Sequence, residues 1–575
     1  MSSPERFDVI ILGSGLAGST LAAILARHGQ SVVMLEAGSH PRFAVGESVV
    51  PEFGALANIL ADRFDVPELA FLANFQRLRH HVSANSGIKR NFSFLQHADG
   101  KEPSAEDWSQ FQTMTHPIGP DSHIYRPDVD AWLTALAVQY GAVHRERVSV
   151  AGPEDVELRP DGVRVNAGGR CYEGRFLVDG TGYRSVLAQK LGLRAETTCA
   201  TNSRSLFTHM VGVRDVADVL PAGSPPSVPS PPDQGTLHHH FDGGWFWVIP
   251  FGNHSTAINP VCSIGLTLDR SRHPDNDRDA EEEFFSIAQR FPVVRRQLEG
   301  ARAVRTWVKT GRLQYQSKQL VGPRWCLLPH SASFLDPLFS GGLVLTLLGV
   351  RQIAAALLEA VPADDPEPAG LARYQQNSLD NFAALDKVIH GSYVAFRTPG
   401  LFNAWYRIWA TGNFHASAGT IALHLRYLSS GDARVLDVLD EAPFRRSLGT
   451  DDRHMQALLD AGHAILRRVE SGELEGQDAK RELFELLERQ ADWIPPQFHI
   501  ADRDRRDIAS FTVFPLLSII FWGKKHAPAD MRAVYYDVGP VFFLELTKSL
   551  VNEGRRGLAS FLRVARAAHM TRGRS

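Results

Sequence analysis

Cysteine is scarce in this chain. Cys171, Cys199, Cys262 and Cys326 are the only four among 575 residues and lie far apart, so no paired spacing suggests zinc or redox chemistry, and a reducing cytoplasm suits them. Net charge is nearly absent as well: 61 Lys and Arg against 64 Asp and Glu leave -3, which gives no general pull toward nucleic acid or another polyanion. A membrane-spanning run is missing. The longest apolar stretch, residues 511–522, is interrupted by Pro515 and is too short to cross a bilayer, so it reads as a buried or interface segment. Residues 1–6 are few and polar and do not make a signal peptide. No internal repeat is evident. What remains, 44% hydrophobic and 22% charged residues, is the composition of a soluble globular protein, long enough for two or three folding units.

Residues 7–36 organise the rest. Residues 8–12 are mostly apolar and β-branched, and Gly13, Gly15 and Gly18 follow at once in GxGxxG spacing. Leu16, Leu21, Ile24 and Leu25 then recur at helical spacing, and residues 32–35 are a second strand ending in Glu36. The first glycine permits a tight turn. The second lets a pyrophosphate approach the backbone at the helix N-terminus, the third lets helix and strand pack closely, and the carboxylate can accept ribose hydroxyls. This unit predicts dinucleotide binding in an α/β, Rossmann-like fold.

Downstream, residues 40–48 form a polar loop beside the ribose acid. Period-two alternation over residues 87–94 places Ile88, Phe92 and Phe94 on one face and Lys89, Asn91 and Ser93 on the other. Lys89 is therefore expected to face away from the apolar side. Residues 125–140 read as a helix with Asp128 near its start and Trp132, Leu133, Leu136 and Ala137 as its buried stripe. Residues 175–184 are a strand ending in a small-residue turn beside Asp179, a second place where backbone can approach a cofactor. The proline-rich residues 221–235 are expected to be exposed and extended or disordered. His238, His239 and His240 alternate faces on a strand and lack a carboxylate pattern, so no metal is expected. Residues 325–361 combine a buried strand, a proline and glycine loop and a long apolar helix, able to meet an anion or a flavin edge. From about Tyr374 helical patterns dominate. The arginine-rich residues 555–574 read as a solvated amphipathic tail or oligomer contact, with docking on an acidic partner protein as the sharper alternative.

Three stretches together resemble the flavin-dependent halogenases, a branch of the FAD monooxygenase superfamily. The first is the glycine unit with Glu36 and the GES loop after it. The second, residues 245–250 (WFWVIP), fits the WxWxIP signature of that family, and the third, residues 334–342 (FLDPLFSGG), fits its FxxPxxSxG signature. The layout is similar to that of the halogenases of phenolic rings across most of the first 430 residues. The resemblance implies an FAD-binding and catalytic module over residues 1–375, with a substrate sheet about 80–110 and 200–300, followed by a helical domain over 376–575.

The implied chemistry begins with reduced FAD, supplied by a separate NAD(P)H-dependent flavin reductase, and with O2 and chloride or bromide, which yield hypohalous acid. That species travels to a lysine beside the substrate, and the matching position here is Lys89, either hydrogen-bonding the acid as an ammonium or being chlorinated as a neutral amine. Expected cofactor contacts are Gly13, Gly15, Leu16, Ala17, Gly18, Glu36 and Ala37 from the first unit, Arg42, Gly46, Glu47 and Ser48 from the loop, and Arg126, Asp179, Asp336, Gly341 and Gly342. Ser340, Gly341 and Gly342 would bind halide. Trp245, Trp247, Ile249, Pro250, Phe92 and Phe94 would line the tunnel or the substrate. One departure stands out: Pro329 and His330 occupy a position where many relatives have Gly and Asp, the acid holding the flavin's ribityl chain. By this likeness the substrate would be a small electron-rich aromatic of the phenolic kind, free or tethered to a carrier protein, and a homodimer is compatible with the tail. The rival expectations are a flavin monooxygenase or oxidase without halide chemistry, and a non-catalytic flavin-binding partner of a synthase.

Overall fold

The computed structural model describes residues 3–113, 119–195, 198–221, 226–508, 513–544 and 547. Strand Glu5–Leu12 sits inside a mainly parallel sheet, between Val32–Glu36 and Arg170–Asp179, with Val143–Glu146 and Trp325–Leu327 beyond them. Val9, Ile10, Ile11 and Leu12 are buried on both faces, as a parallel strand covered by helices requires. Helix Leu16–Arg27 packs against Arg126–Gln139 and Gly342–Ala363. The register pairs Leu12 with both Leu35 and Asp179, and Asp179 with Leu327. Four chain turns therefore leave from one carboxyl edge, where a doubly wound sheet holds its ligand.

A second sheet carries Trp108–Gln112, Asn91–Gln96, Thr236–Phe241, Gly244–Pro250, Cys262–Asp269 and Ser203–Val211 in that spatial order. Alternation splits its side chains cleanly. Phe92, Phe94, Trp245, Trp247 and Ile249 enter the large core, while Leu95, Leu237, Phe246 and Val248 enter a separate core with Phe284 and Phe291. Helices Ala369–Ala395 and Leu401–Ser430 close over the first face, and strand Asp507–Ile508 joins the sheet edge at Gln110 and Phe111. The division drawn at 375/376 falls within helix Ala369–Ala395, and the large core runs from Val9 to Phe542 without a break at that point.

Several local expectations are corrected. Residues 87–94 are not one strand: Gly87–Lys89 pairs with Asp121–His123, and Asn91–Gln96 belongs to the large sheet, so the alternation restarts at Arg90 and Lys89 is fully buried. The proline-rich segment is held down where described: Asn91 Nδ2 donates to Ser230 Oγ and to the Pro231 carbonyl at 3.0 Å each, and Pro232 is buried. Trp132 is only partly buried beside Leu133, Leu136 and Ala137. Of the apolar run, residues 511–512 lie outside the described residues; helix Val513–His526 buries Ile519 and Ile520 and exposes Phe521. The arginine-rich tail also lies outside the described residues. Among the described residues one helix, Leu338–Ala363, is long and apolar enough to cross a membrane, and 72% of its apolar window is buried inside this fold.

Candidate active site

The glycine turn leaves space for a ligand pressed against backbone. Gly13 has a φ of 91°, and a Cβ there would lie 2.7 Å from the Gly180 carbonyl oxygen; a Cβ on Gly18 would lie 2.2 Å from the Gly13 carbonyl oxygen. At Gly15 the nearest atoms to such a Cβ are Arg42 Nη2 at 3.5 Å and Asp130 Oδ2 at 3.9 Å. Helix Leu16–Arg27 starts with neither a side-chain cap nor an acid in its first turn, so its N–H groups remain available to an anion. Glu36 accepts from Ser14 N–H at 3.0 Å, Gly38 N–H at 3.0 Å and Arg42 at 3.1 Å. Burial opposes its charge, but these donors prevail and hold the carboxyl down to about 2. Arg42 Nε has no partner. An ionised acceptor for ribose, an uncapped helix start and an orphaned guanidinium N–H fit the diphosphate and adenosine half of FAD.

The next loop leads to the lysine. Gly46 has a φ of 91°, Ile124 N–H donates to the Glu47 carbonyl at 2.7 Å, and Glu47 Oε1 lies 2.8 Å from His209 Nε2. Lys89 Nζ donates to Ser48 Oγ and to the Val49 carbonyl, each at 2.7 Å, and stands 3.3 Å above the Phe92 ring centroid. Burial pushes its pKa well below the usual lysine value, against the pull of Asp121, its cross-strand neighbour. Asp121 is itself pushed up to about 8 by burial, with Lys89 and Thr113 opposing. His123 is pushed down to about 3, mainly by burial, and its Nδ1 and Nε2 lie 2.9 Å from the Pro250 carbonyl and 3.0 Å from Thr236 Oγ1.

The loop over residues 334–342 meets the same hydroxyl. Ser340 Oγ donates to Ser48 Oγ at 3.1 Å, so Ser48 joins the lysine, the polar loop and the SGG turn. Phe339 and Ser340 adopt left-handed backbone, φ 71° and 57°, a conformation costly for non-glycine residues that surrounding contacts must enforce. Asp336 supplies them: it accepts from Ser203 Oγ at 2.6 Å, Tyr393 Oη at 2.9 Å and Leu338 N–H at 3.1 Å. Phe339 stacks on Trp409 with centroids 4.4 Å apart. A Cβ added to Gly341 would meet nothing within 4 Å, so backbone and open volume coincide at the start of helix Gly342–Ala363.

Comparison with known proteins bears on this arrangement. The model of the tryptophan halogenase family matches residues 69–402, and that of an NAD(P)-binding Rossmann-like domain matches residues 11–79. Tetracycline 7-halogenase of Kitasatospora aureofaciens is 38% identical over 92% of this chain and 94% of its own length. The monodechloroaminopyrrolnitrin halogenase PrnC of Pseudomonas fluorescens is 36% identical over 94% and 95%. The chain belongs to the tryptophan halogenase family. Among solved structures, halogenase PltM in complex with phloroglucinol and FAD superposes with a TM-score of 0.83 at 31% identity, covering 88% of this chain and all of that one. This halogenase is thus a flavin-dependent enzyme that uses FADH2, O2 and halide on aromatic substrates, and the likeness extends through the helical part, where the signatures do not reach. Enzymes of this kind generally need a separate flavin reductase.

Several of the residues expected at the cofactor are engaged within the protein itself. Leu16 is buried, Ala17 partly so, and Ala37 is exposed at the end of its strand. Arg126 spends its guanidinium on Asp130, at 2.7 and 2.9 Å, and on the carbonyls of Val45 and Gly46, so it fixes the loop. Asp179 is consumed by Thr181, Ser185 and Leu187 N–H and shapes the turn that abuts Gly13. Asp336 is likewise an anchor. At the departure, His330 is partly buried, pushed down to about 4 by desolvation with Arg126 assisting, and its ring lies 3.3 Å from the position of a Cβ on Gly342. Trp245 and Trp247 lie 5.7 Å apart, Trp245 Nε1 donates to Tyr393 Oη at 3.2 Å, and His238 stacks on Phe94 at 4.6 Å, making one aromatic wall. His239 faces the other way, toward His97 at 2.8 Å and Gln297 at 2.8 Å. Asp121, His123 and Thr236 escaped sequence reading. The only signal was the polar cluster of Asp121, Ser122 and His123 ahead of Arg126.

Proposed function

We propose that this enzyme halogenates a phenolic ring, with Lys89 presenting hypohalous acid to it. The observation that carries the reading is a buried lysine tied through Ser48 to the SGG turn. Reduced FAD and O2 supply the oxidising power that converts halide to hypohalous acid. Gly341 offers free volume for the halide, Gly342 is closed in by the His330 ring, and Ser340 holds the turn. Lys89 then hydrogen-bonds the oxygen of the acid, so that attack by the ring breaks the oxygen–halogen bond and forms carbon–halogen. Lys89 gives a proton to the departing hydroxide, which leaves as water, and the ring proton restores the Lys89 and Asp121 pair, whose amine burial depresses and whose carboxyl burial raises. A phenol is favoured over an unactivated ring because its oxygen raises carbon nucleophilicity toward this mild electrophile. Aromatic residues around the route, Trp245, Trp247, Phe92 and Phe94, exclude water and keep the acid from escaping.

The free thiols Cys171 and Cys199 and the need for reduced flavin support a cytoplasmic location. Given a flavin reductase, NADH, FAD, chloride or bromide and a panel of phenols, the protein should release halogenated phenol. Lys89→Met should lower that yield by about 10²–10⁴-fold while FAD binding persists. Halogenation by the variant at the parental rate, or oxygen insertion independent of halide, would overturn the assignment.

A further inference from the structure

A cleft lies behind the SGG turn, between helices Gly342–Ala363, Ala369–Ala395 and Leu401–Ser430. Its lining includes Val50, Phe339, Trp409, Gly341 and Gly342. Val50 follows the residue whose carbonyl receives Lys89 Nζ. Other lining residues are polar. Gln352, Asn377 and Asn413 also line the cleft, are at most 7% exposed, and their Nε2, Nδ2 and Oδ1 atoms have no hydrogen-bond partner. A buried amide group left unpaired is costly, and these three belong to three different helices that line one cleft.

The charged groups around that space are settled. Asp336 accepts three hydrogen bonds, and Arg445 is 3.1 Å from Asp451. Burial keeps Glu52 protonated, with its carboxyl pushed up to about 8, and keeps His330 neutral. The cleft thus offers two amide N–H donors, one amide acceptor and a neutral carboxyl, beside an Asp336 carboxyl held by three uncharged donors.

We infer that this cleft seats the polar end of the substrate and selects a neutral arene whose ring carries a carbonyl next to a hydroxyl group. Carbonyl and hydroxyl oxygens would receive the Gln352 and Asn377 amide hydrogens, and a hydroxyl or amide N–H would donate to Asn413 Oδ1. The electron-rich edge of the ring then points past Phe339 and Trp409 toward Lys89. Gln352, Asn377 and Asn413 are positioning residues for this reaction, and the inference rests on the halogenase reading for the chemistry after binding. Ionised carboxylates and phosphates are disfavoured because no free cation lines the described cleft.

The test is equilibrium binding to the FAD-loaded enzyme at pH 7, using salicylamide, phenol and salicylate. Salicylamide is expected to bind at least tenfold more tightly than either of the others. In Gln352→Met and Asn413→Leu the salicylamide to phenol ratio should collapse toward one. Equal affinities of the parent for all three ligands, or an unchanged ratio in a folded variant, would overturn the inference. Should a variant fail to fold, the ranking on the parent still decides. Halide-dependent turnover of 1,3,5-trihydroxybenzene, measured separately, reports on the halogenase reading and is independent of the ranking.

Discussion

Lys89 meets three acceptors, two oxygens and one ring face, which together satisfy an ammonium, while burial favours the neutral amine. Moving one proton between Lys89 and Asp121 changes neither the charge nor the proton count of the pair. The pair can therefore shift form during chemistry without a matching change in folding stability over neutral pH. Glu52 has no such compensation. Its folded carboxyl is pushed up from 4.5 to about 8 by burial, with Asp451 adding to it, so its contribution is fully present below pH 4.5 and is lost as pH rises through about 8. Glu52→Gln is expected to gain stability relative to the parent over that window, on the order of a few kcal/mol at its top, and to hold a constant gain beyond it. Urea midpoints across pH would show this; a gain independent of pH would contradict it.

At the scale of elements, turns with the same residue type behave differently. Gly18 packs against the Gly13 carbonyl and Gly341 faces open volume. Gly18→Ala should lose FAD and melt lower, because the added methyl collides with backbone. Gly341→Ala should fold with an unchanged melting temperature and yet halogenate more slowly, its methyl occupying the space proposed for the halide. Calorimetry together with turnover separates the two; a destabilised Gly341→Ala would mean that the open volume is absent in solution. The glycine unit and both signatures were legible in the sequence because each is local: one strand, one turn, one helix start. The interior position of Lys89 was not, because a break at Arg90 resets the alternation and period-two reading cannot register it. Nor were Asp121 and Thr236, which reach the lysine and Ser48 only through strand pairing across long separations in sequence.

For the whole molecule, the helical part is structural support for the loop over residues 334–342 and for the large sheet. Tyr393 bonds Asp336 and Trp245, Tyr406 Oη donates to the Gln110 carbonyl at 3.2 Å, and Arg407 reaches the carbonyls of His499, Ile500 and Arg505. Cutting the chain after residue 375 would divide helix Ala369–Ala395 and bare Phe92, Phe94 and Phe339, each worth about 1.5–3 kcal/mol of burial. The fragment 1–375 is expected to be insoluble or to melt without cooperativity, whereas the full chain melts cooperatively; a cooperative fragment would show that the helical part is a separate unit. The change of character near Tyr374 is legible in residue order alone, but that helices and sheet share one core is not, since it depends on which apolar faces meet. The hydroxyl of Ser48 has a consequence for the economy of the reaction. On the proposed route one oxygen touches both the lysine and the SGG turn, so Ser48→Ala is expected to divert a larger share of reducing equivalents from product to hydrogen peroxide, read by peroxide release per NADH consumed.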